Sequence, residues 1–161
     1  MDRRRDVEVV RIVRGAGTGP TALASYDAAL AAAGVHDYNV VTVSSILPAG
    51  ATVELTDTAP DLGPPGDRLM AVEARATASG PDRVAAGLGW ATGDGAGVVY
   101  EADDGEERAV REQLRTGIDA ATDMRDRSFD EPEIRTATAT ADPGEYATAA
   151  VLAVFGGSEP I

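Results

Sequence analysis

Ser44 and Ser45 are on their own almost no signal, yet few other side chains in this 161-residue chain are suited to covalent catalysis. The sequence has no cysteine, no lysine and a single histidine, His36. That removes thiol nucleophiles, lysine Schiff bases, thiolate zinc sites and multi-histidine metal sites together, so no metal is expected. A serine pair after an apolar strand usually marks only a strand end. Here few groups for covalent chemistry remain, and one of them, a group derived from serine itself, needs no bound cofactor. Asp27 is the second residue of interest. Leu23, Asp27 and Leu30 are spaced i, i+4, i+7 and share one helix face. An acid there either sits at the edge of the apolar stripe or is partly buried and paired, since an unpaired buried carboxylate is costly. A guanidinium would suit it through paired hydrogen bonds.

Two familiar constellations fail on inspection. Gly15-Ala16-Gly17-Thr18-Gly19-Pro20 follows a strand and precedes a helix, as a dinucleotide-binding loop does. The third glycine of G-x-G-x-x-G is replaced by Pro20, however, and Asp37 precedes the second strand instead of ending it. A Ser-His-Asp triad would need a G-x-S-x-G elbow, which neither serine has, and His36 lies beside Asp37 in a short loop.

The elements that must position these residues follow from periodicity and punctuation. Val7–Arg14 alternates as a strand, and the glycine segment after it reads as a loop. A helix spans about Thr21 to Ala33, with Pro20 before it and Gly34 closing it. Val40–Val43 is a strand running into Ser44-Ser45-Ile46-Leu47-Pro48, and Thr56 to Gly66 reads as a loop. Strands follow at Leu69–Ala78, Val84–Ala91 and Val98–Glu101, with turns at Gly80-Pro81 and between Thr92 and Gly97. Glu106–Arg127 is a long amphipathic helix with Val110, Leu114, Ile118 and Ala121 on one stripe. Ile134–Thr140 and Tyr146–Phe155 finish as strands around Asp142-Pro143-Gly144. Hairpin-like strand pairs with two helices point to an α+β fold with helices covering sheet faces.

Length allows one domain, residues 1–161, and the 43% apolar content supports a core. Aromatics are only 4%, so that core must use small side chains. The 27 acids outnumber 14 bases, all arginine, for a formal net charge of -13. That surface disfavours nucleic acid as a partner. Dispersed acidity without lysine fits molar salt, where the Debye length is about 3 Å against about 10 Å at 0.1 M. No apolar run approaches the ~18 residues of a membrane span. Arg3–Arg5 lead into Asp6 and a strand pattern, not a signal-peptide core, so a cytoplasmic location is expected.

Taken in order, Ala28-Ala29-Leu30, Ala33-Gly34 and Asn39-Val40-Val41-Thr42-Val43-Ser44-Ser45-Ile46-Leu47-Pro48 resemble the pyruvoyl-dependent arginine decarboxylases. The resemblance starts at the first strand and takes in Asp27, Asn39 and the Ser-Ser-Ile step. It reaches Glu101 after Val98-Val99-Tyr100 and extends through the second helix and last strand pair. Pro48 is followed by Ala49, where members of that family often carry a second proline.

The resemblance implies a proenzyme that cuts itself between Ser44 and Ser45 into chains 1–44 and 45–161. The Ser45 hydroxyl attacks the Ser44 carbonyl to give an ester, β-elimination leaves a dehydroalanine, and loss of ammonia leaves a pyruvoyl group. That covalent cofactor would convert L-arginine to agmatine and carbon dioxide through a Schiff base, feeding polyamine or agmatine-dependent pathways. Carried over by position, Ser45 becomes the pyruvoyl group, Asn39 and Ser44 flank it, and Glu101 donates the proton to the product carbon. Asp27 receives the guanidinium, with Leu23, Leu30 and Ile46 packed nearby. Glu101 stands in a cluster with Asp103, Asp104, Glu106 and Glu107, which as sequence alone reads as a solvated acidic turn. As a general acid it should be partly desolvated. The implied architecture is a four-layer αββα sandwich of mixed and antiparallel sheets, assembled as a trimer or hexamer with sites between protomers. Competing readings are a pyruvoyl decarboxylase for another cationic amino acid, an uncleaved non-enzymatic binding protein, and nucleotide binding through Gly15–Gly19.

Overall fold

The computed structural model describes residues 9–161; Val7 and Glu8 of the first predicted strand, and Arg3–Arg5, lie outside the described residues. The elements are β1 (Val9–Gly19), α1 (Ala22–Ala32), β2 (Asn39–Thr42), β3 (Ile46–Leu47), β4 (Thr52–Asp57), β5 (Arg68–Ser79), β6 (Asp82–Gly93), β7 (Gly95–Asp104), α2 (Glu107–Asp123), β8 (Glu133–Ala141) and β9 (Tyr146–Phe155). They form a five-stranded sheet in the order β2-β5-β9-β1-β4 and a four-stranded sheet in the order β3-β7-β6-β8. The first is mixed, with β1–β4 and β2–β5 parallel. The second is antiparallel. The fold is therefore α+β with two helices.

Helix α1 packs on β1 and β9 of the five-stranded sheet, and α2 on β6 and β7 of the four-stranded one. Between the sheets lies a core of small and medium side chains, including Val10, Ile12, Val72, Leu88, Trp90, Val99 and Val151. A second core, with Val13, Ala29, Leu30, Leu69 and Leu152, lies under α1. Strand β9 faces both cores, and its alanines 147, 149, 150 and 153 are completely buried. Small side chains thus fill the space that aromatics fill elsewhere. The α2 stripe behaves as its 3.6-residue period predicts, with Val110, Leu114, Ile118 and Ala121 buried.

Four expectations change. The Gly15–Gly19 segment is not a loop: β1 runs through it, with Gly15, Gly17 and Gly19 paired to Ala150, Thr148 and Tyr146. A Cβ on Gly17 would lie 2.5 Å from the Ala29 amide nitrogen, and one on Gly19 would lie 2.9 Å from that of Ser25. The glycines are bare because α1 folds back onto this strand, which leaves no phosphate cradle. Thr52–Asp57 is an additional edge strand. The segments at Gly80-Pro81 and Asp142-Pro143-Gly144 are not hairpin turns, because β5 and β6 belong to different sheets, as do β8 and β9. The two crossings lie side by side, with the Gly80 amide donating to the Glu145 carbonyl (2.9 Å). Finally, β7 continues to Asp104, so Glu101 is mid-strand opposite Leu88 and not in a turn.

Candidate active site

A third crossing carries the serine pair. Strand β2 lies in one sheet and β3 in the other, so Ser44 and Ser45 span the gap between them. Each flank is fixed: the Val43 amide donates to the Ala71 carbonyl of β5, and the Val99 amide of β7 donates to the Ser45 carbonyl, both at 2.9 Å. Ser44 is exposed and Ser45 half-buried. Ile46 and Leu47 then pair with Val98 and Gly97.

Where β2 ends, β5 loses its neighbour on that side: its pairing with β2 stops at Ala71, while β5 itself continues to Ser79. A cavity of about 610 Å³ opens along this free edge, lined by Val43, Tyr26, Glu73 and Arg75, and across the gap by Glu101 and Asp103. Glu101 points this way by strand alternation, since Val99 on the same face belongs to the inter-sheet core whereas Tyr100 packs toward α2. The cavity walls desolvate its carboxyl only in part, because the residue remains exposed. That partial burial is the main cause raising its pKa above the usual carboxylate range, followed by the charges of Glu73 and Asp103. An upward shift is the direction a general acid requires.

Sequence pattern does not single out Tyr26, Glu73 and Arg75. The Glu73 side chain is only 6% exposed, and the Tyr26 hydroxyl donates to both of its carboxylate oxygens, at 2.8 and 3.0 Å. The Arg75 guanidinium lies 4.4 Å over the Tyr26 ring and 3.8 Å from Glu73, through its Nε. Burial and the hydrogen bond to Glu73 push the Tyr26 hydroxyl up to about 12. An E-x-R step on one strand face is the available signal, but its partner Tyr26 is 47 residues away.

The remaining sequence candidates are distributed as follows. Asn39, at the far end of β2, donates its side-chain amide to the Gly66 carbonyl (2.8 Å), about 10 Å of strand from Thr42. Leu30 is in the core under α1, but Leu23, in the first turn of the helix on the same face, is 75% exposed. Asp27 between them is exposed next to the cavity-lining Tyr26. The stripe is thus covered by its own chain only toward the end of α1. Ile46 is 45% exposed beside the serines. His36 lies 3.8 Å from Asp37 in an exposed loop.

A smaller hollow of about 370 Å³ lies beside Arg14, Asp57, Glu107 and Thr136. Its charges are already paired: Asp57 meets Arg135 at 2.6 Å and Arg14 at 3.1 Å, and Arg111 meets Glu107 at 3.1 Å. No described helix is long and apolar enough to cross a membrane.

Residues 9–160 match the family of pyruvoyl-dependent arginine decarboxylases. A Halobacterium salinarum protein of that name is 52% identical over 154 residues, covering 94% of this chain and 96% of its own length. One from Methanopyrus kandleri is 36% identical over 150 residues, covering 91% and 95%. One from Picrophilus torridus is 39% identical over 83 residues, covering 51% and 46%.

Proposed function

The chain belongs to the pyruvoyl-dependent arginine decarboxylase family, and from that membership we infer that it decarboxylates L-arginine to agmatine and carbon dioxide with a covalent pyruvoyl group, made from Ser45. The observation that supports Ser45 is its place: the Ser44–Ser45 step crosses between sheets outside both ladders, tethered at Val43 and at the Ser45 carbonyl, beside the cavity holding Glu101. These residues fit the group. The peptide unit between the serines is free to turn its carbonyl toward the Ser45 hydroxyl, and the flanks hold the new end where it forms. The pyruvoyl ketone supplies an electrophile for the substrate amine and a sink for the electrons freed as carbon dioxide leaves.

The chain's own residues do the rest in this reading. Glu101 carries the proton delivered to the product carbon, aided by its partial burial and acidic neighbours. The acids around the cavity favour a cationic substrate. Asp27 binds the guanidinium, with Leu23, Leu30 and Ile46 contributing apolar packing. Exposed Leu23, Ile46, Val41 and Met70 support an assembly in which a neighbouring copy covers them, a trimer or a pair of trimers. Such an assembly could bring Asp27 and Asn39 of one copy toward the serine of another. The helix-backed sheet pair supports the four-layer αββα reading. The acidic, lysine-free surface supports a cytoplasm at high salt.

Intact-mass measurement under denaturing conditions, on protein prepared in high salt, tests the covalent step. The expected result is two fragments, residues 1–44 and a piece from residue 45 lighter by one ammonia than hydrolysis would leave, with agmatine formed from arginine. A single uncut chain that releases no carbon dioxide would overturn it.

A further inference from the structure

We propose that Glu73 is a positioning residue for the proton donor: its carboxylate, fixed in the cavity wall by the Tyr26 hydroxyl, faces Glu101 across the cavity and disfavours loss of that group's proton. The inference rests on the reading of Glu101 as the acid.

The geometry carries it in three steps. Glu73 and Glu101 line the same cavity from different sheets, so the strands that carry them hold the two residues on facing walls. The Glu73 side chain is 6% exposed, so its charge is less screened by water and salt than that of a surface carboxylate. Tyr26 holds it with two short contacts, 2.8 and 3.0 Å. These satisfy the carboxylate without neutralising it. Arg75 is the cation on this side. Its Nε stands 3.8 Å away, beyond hydrogen-bond reach, and its side chain is 56% exposed, so it offsets the charge incompletely. On β7 itself Asp103 adds a second acid, exposed to solvent. The neighbouring β2 segment contributes only Val40, Thr42 and Val43 to the cavity. A like charge within a cavity's width disfavours ionisation of Glu101, and its pKa is raised first by partial burial and then by the charges of Glu73 and Asp103, in that order.

The test compares Glu73→Gln, Glu73→Asp and Asp103→Asn in the processed, assembled enzyme. The pH dependence of kcat with arginine is read together with the titration of the Glu101 carboxyl carbon by 13C NMR, assigned by difference from Glu101→Gln. Gln at position 73 still accepts from Tyr26, so the wall is preserved while the charge is removed. With Glu73→Gln, the Glu101 titration and the alkaline limb of kcat should both move to lower pH, and the movement should persist in molar salt. Glu73→Asp should restore both. Asp103→Asn should have a smaller effect that molar salt abolishes, because the Debye length there is about 3 Å. A displacement in Glu73→Gln of less than about 0.3 pH unit, a twofold change in protonated fraction, or one no larger than that of Asp103→Asn, would overturn the proposal. If the titration moves but the rate profile does not, the field of Glu73 stands and the assignment of Glu101 as proton donor falls.

Discussion

Substituting Gly17 by alanine decides between two explanations of the glycine segment, backbone contact with a phosphate and close docking of a helix. The added Cβ would lie 2.5 Å from the Ala29 nitrogen and 2.6 Å from the Ala28 Cβ, closer than carbon atoms tolerate. Neither side can yield cheaply. Gly17 is paired to Thr148 in the centre of the five-stranded sheet. Helix α1 is held there by the buried Ser25 hydroxyl, which lies 2.7 Å from the Thr148 hydroxyl. Overpacking typically costs about 1–3 kcal/mol, and with backbone on both sides of the contact the upper end applies. For a chain of this size each kcal/mol lowers Tm by about 2–4 °C, so the expected loss is about 6–12 °C. Circular dichroism melting at fixed protein concentration and molar salt measures it, since assembly makes Tm concentration-dependent. Gly50→Ala is the comparison: no heavy atom lies within 4 Å of its Cβ, but its φ is 77°, a strain of about 1–2 kcal/mol. A Gly17→Ala protein that melts within about 2 °C of the parent, or no lower than Gly50→Ala, would refute helix docking as the reason for the glycines.

Glu101→Gln should leave cleavage intact in the mass spectrum and lower kcat by about 10²–10⁴, the usual worth of a positioned general acid; turnover at the parent rate would remove Glu101 from the mechanism. Asp57→Asn probes the ion-pair hollow. The hydrogen bond from Arg135, helped by the charge of Arg14, holds the Asp57 pKa below its ordinary 3.8. The carboxylate therefore contributes stability at pH values above its unfolded pKa, and loses it as pH falls through the folded value. The group is about half exposed, and solvent screening limits the contribution to roughly 1 kcal/mol. In urea titrations the variant should be less stable at pH 6, and the gap should narrow as pH falls through the ordinary 3.8 and below it; a gap that widens on acidification would contradict the pairing. With a formal net charge of -13, dilution from molar salt to 0.1 M should lower the melting temperature and loosen the proposed assembly as the Debye length grows to about 10 Å. An unchanged melting profile would count against adaptation to salt.

Legibility in the sequence followed how local each cause was. The α2 stripe could be read in full because Val110, Leu114, Ile118 and Ala121 bury one face of one helix, a property of spacing alone. The limits of α1 were equally local: Thr21 accepts from the Ala24 amide as N-cap, and Gly34 follows the helix with φ 81°. The glycines of β1 could not be read this way, because their cause is a helix that returns onto the strand. Strand β4 was hidden by its position at a sheet edge, where Leu55 is 49% exposed, and by its termination at Asp57 with φ 55° just before a proline-rich loop. Turn residues at Gly80-Pro81 and Asp142–Gly144 announced reversals correctly, but not that the chain changes sheets there. At the site, Ser45 and Glu101 were proposed through motif order. Glu73 was not, since its significance depends on Tyr26 from α1 and on a free strand edge created where β2 departs.

That departure links the fold to the chemistry. In a paired strand, turning one carbonyl toward the next residue's hydroxyl would break ladder hydrogen bonds on both sides, so a bond meant to rearrange is poorly placed within a sheet. A surface loop would free the carbonyl but would also release the two ends once the bond had broken. The crossing at Ser44–Ser45 avoids both problems. Val43 stays tied to Ala71 in one sheet, while the Ser45 carbonyl and Ile46–Leu47 stay tied to Val99, Val98 and Gly97 in the other. After the proposed cleavage, each new end remains held by a different sheet, and the one starting at residue 45 stays against β7, the strand that presents Glu101. The same geometry leaves β5 without a neighbour on that side beyond Ala71, so the cavity and the freedom of the proposed scissile bond arise from a single topological event.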